Sequence, residues 1–210
     1  MLMRRWIPGL WACLLVAGCG DDAVFMESEA IALVEVVWHV ATAPGLEDVW
    51  DTKSGSYEHE VNCMKGGRTR TSGTMEGDGS NHTSEGTTIF TDCAEYQPPC
   101  YGWGCNVDDP VITLNGDVHR ETEVAFIRSD GRTDIDIEGR LSGELAWETD
   151  DGESGICELD LIAVSEIRLI GDPVHDIREE GRMWGTACGT PVNVEGGPRR
   201  FFGPPGVPAM

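Results

Sequence analysis

The chain has 210 residues, with 37 Asp or Glu against 15 Lys or Arg, and a formal net charge of −22 at pH 7. A surface this negative repels nucleic acid and anionic lipid headgroups, which removes both from the partners that charge would recruit. At this length one domain of moderate size is expected, and no second apolar stretch beyond the N-terminus is long enough to span a membrane as a helix.

In chain order, the basic start Met1-Leu2-Met3-Arg4-Arg5 precedes an uncharged apolar run from Trp6 to Ala17, the layout of an export signal. That run falls short of the ~20 residues a bilayer-crossing helix needs. Pro8 and Gly9 weaken it further as a helix. It is followed by Leu15-Val16-Ala17-Gly18-Cys19: an aliphatic residue, small residues, then a cysteine.

This pentapeptide resembles the lipobox of bacterial lipoproteins. The resemblance implies cleavage between Gly18 and Cys19 and a thioether from the Cys19 thiol to diacylglycerol. It also implies further acylation of the new amine by palmitate-type chains. More than one chain makes a stable anchor, where a single chain is marginal. Gly20 occupies the slot where an aspartate would retain the lipoprotein at the inner membrane. An outer-membrane lipoprotein facing the periplasm or the cell surface is therefore expected. Loss of residues 1–18 removes Arg4 and Arg5 but no acid, leaving 13 basic and 37 acidic residues, a net charge of −24. The expected organisation is a signal peptide over 1–18, a lipidated tether over 19–27, a single disulfide-containing β domain over 28–190, and a flexible Gly/Pro-rich tail over 191–210.

Beyond the tether, Ser28, Glu35 and His39 recur at helical spacing among apolar residues, which predicts a helix over Ser28–Val40 with Ser28 as its cap. It ends before Ala43-Pro44-Gly45. From Ser56 the period becomes two, most plainly in Asp134-Ile135-Asp136-Ile137-Glu138. Turn signals stand at Lys65-Gly66-Gly67, Glu76-Gly77-Asp78-Gly79, Ser129-Asp130-Gly131, Asp150-Asp151-Gly152 and Gly171-Asp172-Pro173. The fold class this predicts is mostly β: an antiparallel meander of seven or eight strands, an open or half-closed barrel, with the helix packed on it. Asn115-Gly116 is either a hairpin turn or a bulge within one long strand over Val111–Ile127. Phe90-Thr91-Asp92-Cys93 followed by Leu114-Asn115-Gly116 is similar to a pattern in uncharacterised β-rich envelope lipoproteins, a resemblance that implies no activity.

With Cys13 lost to the signal and Cys19 lipidated, six cysteines remain, an even number suited to disulfides in an oxidising compartment. Reversing direction at each turn brings Cys63, Cys93, Cys100, Cys105, Cys157 and Cys188 to one end. Cys157 and Cys188 then sit near cross-strand register, which makes their bridge the favoured pair. Cys63–Cys93 and Cys100–Cys105 follow by elimination, although a strand between Cys63 and Cys93 would hold them apart unless the sheet edge curls. The rival reading of Cys100 and Cys105 as metal ligands has four intervening residues, a poor match to zinc knuckles. The loop Gln97–Cys105 carries Tyr101 and Trp103, a candidate recognition surface that would otherwise cap the core.

No catalytic residue, metal site or cofactor is expected. Asp134, Asp136 and Glu138 before Gly139 mimic a calcium loop, but its last ligand position falls on Leu145. The five histidines are scattered, and no nucleophile elbow, phosphate loop or dinucleotide fingerprint is present. The leading functional expectation is a lipid-anchored, non-enzymatic cell-envelope module that binds a protein or glycan or serves a structural role. The alternatives are a periplasmic carrier of an apolar ligand, such as a lipid or lipoprotein, and a hydrolase with an unrecognised site. Arg199-Arg200-Phe201-Phe202 could dock on an acidic partner, but a solvated tail is the simpler expectation.

Overall fold

A computed structural model describes residues 30–38, 40–41, 54–96, 110–171 and 176–196. The lipidation residue Cys19 with Gly18, the candidate loop residues Tyr101 and Trp103, and the pair Cys100 and Cys105 lie outside the described residues, as do Ser28 and His39.

Eight antiparallel strands follow one another: β1 Gly55–Asn62, β2 Gly66–Gly77, β3 Asn81–Tyr96, β4 Val111–Ser129, β5 Arg132–Thr149, β6 Ser154–Ile170, β7 Asp176–Ala187 and β8 Thr190–Glu195. They form a single sheet in sequence order, so every described neighbour pair is antiparallel and β1 and β8 are its edges. The period-two pattern sorts side chains between faces as expected. In β5, Ile135, Ile137, Leu141, Leu145 and Trp147 are buried while Asp136, Glu138, Arg140, Glu144 and Glu148 are exposed.

Residues 30–38 and 40–41 form a helix, α1. Its Leu33, Val34, Val37 and Trp38 belong to one hydrophobic cluster with Leu114, Leu141, Leu161 and Met183 of the sheet. The buried positions cover more than half of the helix circumference, wider than the ~100° stripe of a helix lying on a flat layer. The less buried Ile31, Ala32 and Glu35 share the remaining face.

The sheet's inner face has two characters. On β5–β8 it is apolar apart from Ser165, but on β2–β4 it carries buried Thr69, Thr71, His82, Ser84, Thr88, Arg120 and Thr122. Thr71 and Thr88, paired in register, share a hydroxyl hydrogen bond of 2.8 Å. Tyr57, Gly73, Gly86 and Arg120 form one cross-strand row over β1–β4. The missing side chains of the two glycines leave a trench for the Tyr57 phenol, whose oxygen accepts a hydrogen bond from Arg120 Nη2 at 3.1 Å.

One expectation is corrected, and one open alternative is resolved. The chain does not leave the domain at Pro191: it continues as β8 to Glu195, paired with β7. Pro191 has no N–H to give, which an edge strand tolerates. The turn feeding β8, Cys188-Gly189, was missed because the Gly/Pro-rich composition beyond it read as tail. Both its residues have positive φ, 52° and 74°, as a tight two-residue hairpin turn of the primed type demands. Asn115-Gly116 makes no hairpin: β4 runs through it unbroken.

Candidate functional site

The β1–β2, β5–β6 and β7–β8 turns, the end of β3 and the start of β4 all fall at one end of the sheet. Two disulfides staple this end: Cys63–Cys93, with Cα atoms 5.4 Å apart, and Cys157–Cys188, at 4.1 Å. The second is the cross-strand pair read from register, since Leu159 faces Ala187 and the Cys188 N–H donates to the Glu158 carbonyl at 2.9 Å.

The first bridge spans β2, which should have kept its cysteines apart. Two local features remove the obstacle. Cys63 lies past the end of β1, in a turn that folds over the start of β2, where the Lys65 N–H donates to the Ala94 carbonyl at 2.9 Å. The turn thus pairs directly with β3. At the same level β3 carries an extra residue. Between Gly66↔Ala94 and Arg68↔Thr91, Gly67 alone faces Asp92 and Cys93, and on the other side Asn115 alone faces Thr91 and Asp92.

This β-bulge changes the phase of β3. His82, Ser84, Thr88 and Phe90 are buried at even positions, but beyond the bulge the buried positions are Cys93 and Glu95. The extra residue therefore aims both toward the turn that carries Cys63. Asp92 holds the kink at φ 48°, and its N–H is accepted by Asn115 Oδ1 at 2.8 Å. Gly67, at φ 70°, must lack a Cβ, which would lie 1.8 Å from the Asp92 carbonyl oxygen.

Glu95 accepts the Met64 N–H at 2.8 Å, so the turn is held on its inner side by a carboxylate as well as by a covalent bond. Burial pushes the Glu95 carboxyl above its ordinary range, and the Met64 hydrogen bond partly opposes this. Cys63 Sγ, Cys93 Sγ and a Glu95 oxygen lie within 4.8 Å of one another. Beside them Lys65 Nζ sits 4.6 Å from the centre of the Tyr96 ring, at the point where the chain enters residues 97–109. Sequence reading missed Glu95 because its period-two phase places it outward unless the bulge is known.

On the outer face, Asp136, Glu166 and Glu180 stand in one cross-strand row with Glu138 and Glu195 nearby, around a shallow groove of about 740 Å³. Arg168 pairs with Glu166, its Nε 2.7 Å from the carboxylate, which raises the guanidinium pKa. Arg182 stacks on Trp184 at 4.5 Å. Asp134, Asp136 and Glu138 point out of β5 as strand residues, and Asp134 is tied to Arg132 at 2.6 Å.

No family model matches the chain, and no curated protein or solved structure matches it.

Proposed function

We propose that the protein is an exported, lipid-anchored module of the cell envelope that presents its stapled end to a protein or glycan partner, without catalysis. The observation that carries this reading is the convergence of both described disulfides on the end from which residues 97–109 depart. Disulfides persist in oxidising compartments, in keeping with the signal and lipobox at Leu15–Cys19. A rigid rim lowers the ordering cost of binding through the loop it supports, where Tyr101 and Trp103 supply the aromatic contacts.

The carrier reading would need ligand-sized space between α1 and the sheet. Leu33, Trp38, Leu114, Leu141 and Leu161, which line that space, are all at most 1% exposed. A ligand would have to displace the helix, so the binding module is preferred. Intact mass of the membrane fraction tests the anchor: the reading requires a chain that starts at Cys19 and carries acyl chains, and a Cys19→Ala protein released from the membrane. A wild-type form without lipid, or a membrane-bound Cys19→Ala protein, refutes it. For the loop, Tyr101→Ala with Trp103→Ala should abolish capture of envelope components by the purified protein while leaving its circular dichroism unchanged.

A further inference from the structure

We propose that Cys63, Cys93 and Glu95 become a binding site for a thiophilic divalent cation, Zn²⁺ in the first place, when a dithiol reduces the bridge between the two cysteines. The argument concerns what remains in position once the S–S bond is gone. Cys93 and Glu95 both face inward from β3 because of the bulge. Cys63 is held above them by backbone bonds that do not involve sulfur. The Cys63 N–H donates to the Gly67 carbonyl at 3.2 Å, the Gly66 N–H to the Cys63 carbonyl at 3.2 Å, and the Lys65 N–H to the Ala94 carbonyl at 2.9 Å. The Met64 N–H fixes one Glu95 oxygen at 2.8 Å and leaves the other oxygen available. Reduction therefore leaves two thiols and a carboxylate in a prearranged nest rather than on a loose loop.

The dimensions suit zinc. A tetrahedral site with Zn–S of ~2.3 Å and Zn–O of ~2.0–2.2 Å places its ligand atoms ~3.4–3.8 Å apart. The three donors already lie within 4.8 Å of one another, and all three residues are buried. The sulfurs need only separate, by rotation of the Cys63 side chain in its turn. Three protein ligands leave the fourth position to water or another donor. Hydrogen-bonded support for a ligating carboxylate, here from Met64, is the usual way such a ligand is oriented.

The chemistry balances in two steps. A dithiol donor is oxidised to its disulfide as the Cys63–Cys93 bond takes up two electrons and two protons. Zn²⁺ then displaces the two thiol protons to solvent as it forms two zinc–thiolate bonds. Disulfide and metal exclude each other, so occupancy of the site reports the redox state of this turn. Among the described residues Cys157–Cys188 has no comparable third ligand. The two bridges thus differ in what reduction releases.

The test uses the full chain, reduced with dithiothreitol and freed of it without oxygen, then titrated with Zn²⁺ against a chromophoric chelator. Co²⁺ serves as the spectroscopic probe. The expected result is one tight site per reduced chain, absent from the oxidised chain, with a Co²⁺ spectrum showing thiolate-to-metal charge transfer. Cys63→Ser with Cys93→Ser should abolish it, and Glu95→Gln should weaken it by about tenfold or more. Cys157→Ala with Cys188→Ala, and Cys100→Ser with Cys105→Ser, should leave it within about threefold, since metal sites are set by their own ligands. Equal binding by the oxidised chain, binding that survives loss of Cys63 and Cys93, or no binding by the reduced wild type overturns the proposal. Glu95→Gln leaves the disulfide to form, so it gives an answer even where the cysteine variants fail to fold. An unaltered affinity in Glu95→Gln removes the carboxylate from the site.

Discussion

Phe90 and Cys93 stand three residues apart on β3, yet both face the core, at 2% and 0% exposure. In a regular strand an odd spacing sends side chains to opposite faces. The extra residue at Asp92 reconciles the two. Deleting Asp92 should therefore leave Cys93 two residues after Phe90 in a regular strand, keep Cys93 and Glu95 facing inward, and still allow the Cys63–Cys93 bond. The expected outcome is no additional free thiol by thiol titration, with Cys63–Cys93 and Cys157–Cys188 both intact in non-reduced peptide mapping. Loss of the Cys63–Cys93 bridge in the deletion variant would show that the extra residue does more than reconcile the odd spacing of Phe90 and Cys93.

The Tyr57–Arg120 hydrogen bond spans two intervening strands through the trench left by Gly73 and Gly86. A Cβ on Gly86 would lie 2.4 Å from the phenol oxygen, so Gly86→Ala should expel the ring and lose the bond. Tyr57→Phe removes only the hydroxyl from a buried guanidinium, a loss of about 1.5–3 kcal/mol for a bond to a charged group. Urea unfolding should rank Gly86→Ala as at least as damaging as Tyr57→Phe. Combining the two should cost less than their sum, because they break the same contact.

Much of this architecture was legible in the residues. Alternating acids and aliphatics in Asp134–Glu138 give a half-buried strand with no other input, and the glycine-bearing turns set the meander. What was not legible depends on positions where one residue changes the register. The phase change at Asp92 decides where Glu95 points, and no local propensity announces it. The Cys188-Gly189 turn was hidden by the composition beyond it, and the Tyr57–Arg120 contact depends on glycines on two other strands. Each omission is a long-range relation that exists only once strands are paired.

Glu95 supplies a pH signature. Its pKa in the fold is raised above the ordinary 4.5 because burial penalises the charged form more than the Met64 N–H favours it. The fold then prefers the protonated acid. This contribution is fully present below the ordinary value and is lost as pH rises through the raised pKa. Glu95→Gln keeps an acceptor for Met64 and removes the charge. Its stability should therefore decline less than that of the wild type as pH increases from 4.5 toward neutrality, measured by urea unfolding at fixed ionic strength. Parallel curves for the two proteins would contradict the assignment.

The two described bridges close loops of nearly equal length, 30 and 31 residues, so chain entropy alone assigns each about 3–4 kcal/mol. The turn at Cys63 has the Lys65–Ala94 and Met64–Glu95 hydrogen bonds as independent ties, whereas the β7–β8 turn at Cys188 is followed by a strand of only six residues at the sheet edge. Loss of Cys157–Cys188 should therefore release more structure. In Cys157→Ala with Cys188→Ala, amides of β8 should lose most of their hydrogen-exchange protection. In Cys63→Ala with Cys93→Ala, amides of the first turn should retain theirs. Equal deprotection at both turns would mean that the carboxylate and backbone ties at Cys63 hold nothing without the sulfur bond.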